Sequence, residues 1–410
     1  MKILAIQPYA DGAGHYAKYA VRISQDISRQ GHQVVLCVNH INPRRYLNED
    51  PLFRLISLGP EYAFHKYDIG RPTSRLYWLI GRMWNNLSVL RLATRLARKE
   101  KFDMVQLFSY ELVTAWMFLS ISRAEGLAPI IIEICAPNFG SEKYYGTSLE
   151  TLWRRLQRFA LLQMLGSRIR AVNVYSELHA DKLRKQLGLP EDFPIGVTSD
   201  SRVVPERTMD KQEARARIGL EKFGGSLFLF FGTLRMDKGL NTLLAAIRIL
   251  LERKEGSDFK VMIAGVPADW KIPEDAILRD GHVCTRFEYI PEEQVEDYFF
   301  ASDAMVLPYA AYYIGSCGPL YDACAHGLPL IVSDVSEMGK ATREKELGFL
   351  VPPENPDALA SAMNRFMHLS DEEKERYRDN AIRMVRDFTN VDVAKSYIEL
   401  YGDILRKKNQ

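Results

Sequence analysis

Short apolar runs rich in β-branched residues alternate along this chain with longer amphipathic stretches, and the alternation stops once and then starts again. Residues 3–7, 34–38, 104–107, 130–134 and 171–174 form the first series; residues 227–231, 260–264, 304–307 and 329–332 form the second. A run that is apolar without alternating reads as a strand buried on both faces, which arises when helices cover both sides of a parallel sheet. Each series therefore predicts a doubly wound, Rossmann-like α/β unit. Between them, residues 189–225 carry Pro190, Pro194, Pro205 and Gly224-Gly225 in polar, charged sequence, which predicts a linker. A chain of 410 residues is long enough for two cores. The expected organisation is an N-terminal domain over 1–200, a second over 201–385, and a segment over 386–410 whose helix, after the break at Phe388-Thr389-Asn390, packs on either domain.

With 47% hydrophobic and 26% charged residues, the chain is excluded from the disordered, collagen-like and coiled-coil classes. The net charge of +2 hides an asymmetry: residues 1–200 hold 26 Lys and Arg against 18 Asp and Glu, and residues 201–410 hold 28 against 34. A basic first half suits an anionic surface or substrate, and solvated helix faces produce the same imbalance. Cys37, Cys135, Cys284, Cys317 and Cys324 are scattered and odd in number, which argues against a disulfide framework and for a reducing compartment. The opening run MKILAIQPY reaches Asp11 before a signal-peptide core is complete, and no stretch approaches 18 uncharged apolar residues. The expectation is a cytoplasmic protein without membrane spans.

Three loops carry chemistry. After the first strand, Asp11-Gly12-Ala13-Gly14-His15-Tyr16-Ala17 lets the backbone approach a ligand and opens a helix whose free N–H groups suit an anion, with His15 at its mouth. The spacing also fits the relaxed dinucleotide fingerprint, but the second strand ends in Asn39-His40 where a ribose-binding acid belongs, which disfavours NAD. No histidine stands at metal-ligand spacing, so no metal is expected. In the second unit, Gly232-Thr233-Leu234-Arg235-Met236-Asp237-Lys238-Gly239 places two cations three residues apart between a strand and a helix, a pairing suited to a departing diphosphate. Further on, Pro308-Tyr309 ends a strand, and Ser316-Cys317-Gly318-Pro319 leads into the helix bearing Asp322, a second anion cradle whose carboxylate either balances the helix dipole or accepts from sugar hydroxyls.

In these motifs, together with Gly31-His32-Gln33-Val34, the segment from Asp322 to Asp334 reading DACAHGLPLIVSD, and Leu350-Val351-Pro352-Pro353 with Pro356-Asp357-Ala358-Leu359, the sequence resembles the GT-B glycosyltransferases, and among them the retaining family 4 enzymes of the polysaccharide-type branch. The resemblance spans nearly the whole chain. It implies two Rossmann-like domains facing across a cleft, no obligatory metal or other cofactor, and a nucleotide diphosphate-sugar donor held mainly by the C-terminal domain. Arg235 and Lys238 look like the basic pair on the donor diphosphate, although relatives often place the Arg directly after the glycine, where this chain has Thr233. Asp322 falls at the second acid of the family's paired-acid motif, and the first is replaced by Ile314. Ser316, Cys317, Gly318 and Pro319, with Gly232, Thr233 and Tyr309, would line the donor, and Gly12, Gly14 and His15 the acceptor side of the cleft. The histidine common after the fourth or fifth strand is absent, leaving Glu133 in Glu133-Ile134-Cys135-Ala136-Pro137 to serve in its place; transfer in which the leaving phosphate takes the acceptor proton needs no protein base.

Basic, aromatic-bearing helices suggest where an acceptor is met. Arg71, Arg75, Arg82, Arg91, Arg95, Arg98, Lys99 and Lys101 run with Tyr77, Trp78 and Trp84 against the single acid Glu100, and Arg154, Arg155, Arg158, Arg168 and Arg170 with Trp153 follow without one. Such helices suit anionic headgroups, as they also suit plain coverage of a sheet. The reading is a transferase moving a sugar to a glycan or lipid-linked acceptor, peripheral on the inner face of a membrane, without a nucleic-acid partner. The alternatives are a sugar-nucleotide epimerase of the same fold and a catalytically inactive GT-B scaffold or partner subunit.

Overall fold

A computed structural model describes residues 1–8, 16–41, 47, 49–59, 75–108, 111–121, 128–135, 137–139, 148–198, 202–207, 209–253, 258–268, 270–387 and 390–408. The chain divides into two compact units: Met1–Ser199 together with Asn390–Gln410, and Asp200–Thr389. The second unit thus runs four residues past the expected end at 385, and the C-terminal segment is part of the first.

In the first unit, strands β1 (Lys2–Gln7), β2 (Gln33–Val38), β3 (Arg54–Ser57), β4 (Met104–Leu107), β5 (Ile130–Glu133), β6 (Ile169–Val174) and β7 (Ile195–Val197) alternate with helices α1 (Tyr16–Arg29), α2 (Arg75–Lys99), α3 (Leu112–Ile121), α4 (Ser148–Met164) and α5 (Glu177–Leu187). The strands are parallel in the order β3-β2-β1-β4-β5-β6-β7. In the second unit, β8 (Ser226–Phe231), β9 (Phe259–Ala264), β10 (Val283–Arg286), β11 (Ala304–Leu307), β12 (Leu330–Ser333) and β13 (Gly348–Val351) alternate with α6 (Lys211–Arg217), α7 (Leu240–Arg253), α8 (Glu292–Ala301), α9 (Gly318–Ala325), α10 (Ser336–Glu344), α11 (Pro356–Met367) and α12 (Asp371–Arg386). These strands are parallel in the order β10-β9-β8-β11-β12-β13. The last helix, α13 (Asn390–Lys408), packs on α1 and β7.

Side chains leave a strand on alternate faces, so an all-apolar strand feeds two cores. In β8, Leu227 and Leu229 join Met305, Leu307 and Val332 beneath α8 and α9, while Phe228 and Phe230 join Val306 and Ile331 beneath α7 and α11. The four strands absent from the sequence reading are the four sheet edges, β3, β7, β10 and β13, and each is only partly buried. An edge needs no unbroken apolar run. The expected linker shortens accordingly, because residues 195–197 form β7 and residues 211–217 form α6, which starts on the Asp210 cap.

Candidate donor site

In a doubly wound sheet a ligand sits beyond the carboxyl ends of the strands, where the order reverses. In the second unit that point lies between β8 and β11, and the loops following those two strands are the two cationic and helix-opening motifs of the sequence. They meet at close range. Gly239, with φ +68°, leaves no room for a side chain, since a Cβ there would stand 1.8 Å from the Pro308 carbonyl oxygen. Gly265, at φ +144°, sits equally close, with a Cβ position 2.0 Å from the Gly232 carbonyl oxygen. The Ala310 amide donates to the Asp237 carbonyl at 3.0 Å, which ties one loop to the other.

Lys238 ends a short 3₁₀ turn, Met236–Lys238, and is buried. Its Nζ stands 3.1 Å from where a Cβ of Gly232 would be and 5.8 Å from the Tyr309 ring centroid, so the ammonium lies between the two loops. Burial, with the neighbouring Arg235 guanidinium adding to it, pulls its pKa down to about 8. Tyr309 is fully buried, edge-on to Tyr313 at 4.6 Å, and burial raises its phenol well above the ordinary value. Arg235 is half-exposed, and its fork grips Asp237, Nε to Oδ1 and Nη2 to Oδ2 each at 2.9 Å. Burial works against that charge, but Asp237 outweighs it and holds the guanidinium firmly protonated. The two expected cations therefore differ: Lys238 points into the junction of the loops, and Arg235 is committed to an internal carboxylate. Thr233 is half-buried beside them.

The second loop turns on Tyr313, whose hydroxyl donates to the Ser316 carbonyl at 2.9 Å. Ser316 Oγ is buried without a hydrogen-bond partner. Cys317 is the N-cap of α9 without a side-chain capping bond; Gly318 and Pro319 open the first turn, where Pro319 has no amide to offer and the Leu320 amide donates to the Cys317 carbonyl at 3.0 Å. Burial pushes the Cys317 thiol up to about 11, which keeps it neutral. Asp322 lies one turn on, and its Oδ1 accepts from Arg202 Nε at 2.5 Å. Arg202 was missed in the sequence because it precedes its partner by 120 residues and belongs to no motif. Glu337, in the first turn of α10 after β12, was also missed; its Oε2 is buried without a hydrogen-bond partner at the same edge of the sheet. Ile314, in the place of the first acid, is half-buried.

The other expected residues stand apart. Glu133, proposed to replace a catalytic histidine, is 3% exposed at the end of β5. Its Oε1 accepts from the Tyr175 hydroxyl at 2.5 Å and its Oε2 from the Tyr397 hydroxyl of α13. Tyr397 also receives Asn173 Nδ2 at 3.0 Å and meets the Tyr19 hydroxyl at 3.1 Å. Both oxygens of Glu133 therefore have internal partners, and the carboxylate links α13 to β5 and to Tyr175 beyond β6. Gly12, Gly14 and His15 lie outside the described residues. None of the five cysteines is in a disulfide, and among the described residues no group of three His, Cys, Asp or Glu side chains is placed to hold a metal. No helix among them is long and apolar enough to cross a membrane.

The two parallel sheets, each wound through helices, match the two-unit α/β architecture of the GT-B glycosyltransferases. A sucrose-phosphate synthase from Thermosynechococcus elongatus superposes on 99% of this chain and 100% of its own with a TM-score of 0.73 at 18% identity. HepE of Anabaena in complex with UDP-glucose does so over 98% and 100% with a TM-score of 0.65 at 13% identity. Residues 225–368 match the family model described as glycosyl transferases group 1. A putative teichuronic acid biosynthesis glycosyltransferase of Bacillus subtilis is 31% identical over 176 residues, 43% of this chain and 41% of that protein. The chain thus spans about two fifths of the curated relatives' length it matches.

Proposed function

We propose that this chain is a glycosyltransferase that moves a sugar from a nucleotide diphosphate-sugar donor to a glycan or lipid-linked acceptor, with retention of configuration and without a metal. The observation that carries the reading is the buried Lys238 ammonium at the junction of the β8 and β11 loops, facing the first turn of α9. As the bond to the sugar breaks, negative charge grows on the departing diphosphate, and a preoriented cation in a water-poor site stabilises that charge more than the ground state. The Gly318 amide at the start of α9 supplies a further donor. Asp322, steadied by Arg202, accepts from sugar hydroxyls, and the leaving phosphate takes the acceptor proton. The UDP-glucose complex of the Anabaena neighbour supports a nucleotide-sugar donor.

The acceptor side is proposed at an anionic membrane surface. On α4, Leu152, Leu156 and Phe159 form an exposed stripe one or two turns apart, Met117 of α3 is exposed as well, and Arg154, Arg155 and Arg158 accompany them. The Phe159 ring meets Trp116 at 5.4 Å, so the stripe joins α3. Apolar anchors among cations fit the headgroup boundary, at about 1 kcal/mol per near-surface cation. Arg71 and the side chains of Arg75, Tyr77, Trp78 and Arg82 lie outside the described residues. Flotation with anionic vesicles at low salt tests this surface: Leu156→Asp with Phe159→Asp should abolish binding, and unchanged flotation would remove the membrane from the proposal.

The donor reading is tested by thermal shift with UDP, GDP, ADP, dTDP and NAD. A rise with one nucleoside diphosphate that is lost in Lys238→Ala supports it, since a ligand at 100 times its dissociation constant adds about 2.7 kcal/mol. A flat response to all five would favour the inactive-scaffold reading, which the apolar Ile314 already suits.

A further inference from the structure

At the opposite edge of the second sheet, away from the donor loops, the amino ends of β11 and β12 border a cavity of about 80 Å³. Ser302 and Asp303 lead into β11, Gly327, Leu328 and Pro329 lead into β12, and α12 closes one side. One water needs about 10–15 Å³ of such space, so there is room for a phosphoryl-sized group. Four cations line it: Arg207, Lys211, Lys374 and Arg378. Its two carboxylates do not cancel them. Asp303 is already engaged by Lys211 at 2.6 Å, by Arg215 at 2.8 Å and by the Leu227 amide at 2.7 Å. Glu375 is 61% exposed and reaches Arg378 only at 3.8 Å. Among the described residues, no carboxylate pairs with Arg207 or Lys374.

The cations are held over rigid apolar surfaces. The Arg207 guanidinium lies 6.0 Å from the Phe300 ring centroid, and Lys374 Nζ lies 5.6 Å from that of Phe366. Gly327, at φ +67°, lets the Arg378 stem cross the turn, since a Cβ there would come within 2.9 Å of Arg378 Cγ. The His326 ring forms a wall, stacked on Phe299 at 4.6 Å with its Nδ1 donating to the Asp322 carbonyl at 2.7 Å. Fixed aromatic and glycine supports leave little side-chain freedom to lose on binding a ligand.

We propose that this pocket is a second anion site, distinct from the donor site, which binds a phosphoryl group through Arg207, Lys374 and Arg378. A tetrahedral dianion fits the volume, and guanidinium forks match its oxygens two at a time. The source is either inorganic phosphate or the phosphate of a small sugar phosphate.

The test is calorimetric titration of the full chain with inorganic phosphate and, separately, with glucose 6-phosphate. It uses wild type, Lys238→Ala, and the double variant Arg207→Glu with Lys374→Glu. Saturable binding of at least one of the two is expected in wild type, retained in Lys238→Ala and weakened about tenfold or more in the double variant, as loss of two charge-assisted contacts implies. Tighter binding of glucose 6-phosphate assigns an organic phosphate, and equal or tighter binding of inorganic phosphate assigns the free ion. Absence of saturable binding of either in wild type, its loss in Lys238→Ala, or its survival in the double variant would overturn the proposal. Lys374→Gln, which removes one charge without reversing it, should weaken binding to an intermediate degree at an unchanged ligand-free melting temperature, and full wild-type affinity in that variant would equally count against the site. Because Lys238→Ala removes the donor cation, failure of this proposal and failure of the donor reading remain distinguishable.

Discussion

The two sheets share a strand order over six strands, the first adding β7, and two of their carboxyl-end junctions are built differently. In the second unit the edge between β8 and β11 is built from glycines without room for a Cβ, a neutral thiol, a helix start and one buried ammonium. In the first unit the edge at β5 and β6 is filled by a carboxylate whose two oxygens are taken by Tyr175 and Tyr397. At the first of these edges the Ser316 hydroxyl has no hydrogen-bond partner, and at the second both oxygens of Glu133 are bonded within the unit, one of them to the C-terminal helix. The two edges therefore differ in whether the polar groups at the strand ends have internal partners, which suits the donor site proposed for the first of them.

The comparison breaks most readily at Lys238. Lys238→Ala should lower transfer on the order of a hundredfold, measured as kcat/KM, with a melting temperature no lower than wild type, because the buried ammonium is worth more to the departing charge than to the fold. Glu133 tests the other edge. Glu133→Ala leaves two buried tyrosine hydroxyls without their acceptor and should cost about 2 kcal/mol in denaturant unfolding while kcat changes little. A collapse of kcat at full stability would instead make that edge catalytic. The pH dependence sharpens the contrast further. Bound diphosphate favours the charged form of Lys238, so above pH 8 binding must take up a proton and donor affinity should fall about tenfold per pH unit, a slope absent in Lys238→Ala and readable by calorimetry. The ligand-free protein moves the other way: between about 8 and the ordinary lysine value of 10.5 the unfolded chain still holds the proton that folded Lys238 has lost, so stability rises with pH. The smallest effect belongs to Arg202→Ala, which unties Asp322 and should raise donor KM about fivefold, the scale of a single partly exposed ion pair near 1 kcal/mol.

How much of this was legible in the sequence follows from distance along the chain. The central strands were legible because burial on both faces forces unbroken apolar runs such as Leu227 to Phe231, whereas the half-exposed edges β3, β7, β10 and β13 carry no such signature. Lys238 stood out because its partners, Gly232 and Gly239, are close in sequence, and the spacing survives into the fold. Arg235 shared that signal, but the two-residue reach to Asp237 decided its fate, and a loop motif does not reveal which neighbour a fork will grip. The engagement of Glu133 was not legible because Tyr397, which occupies its Oε2, lies 264 residues away. An isolated acid at a strand end looks available until the residue that occupies it arrives.

That distance sets a timetable for synthesis. The helix that completes the first unit begins roughly 190 residues after β7, so at about 5–20 residues per second a nascent first sheet waits on the order of 10–40 s for it. During that interval the second unit is being made, while Glu133, Asn173 and the face of α1 that receives α13 stand open to water and to other chains. The polar groups and the α1 face that α13 covers are therefore the last parts of the first unit to be shielded.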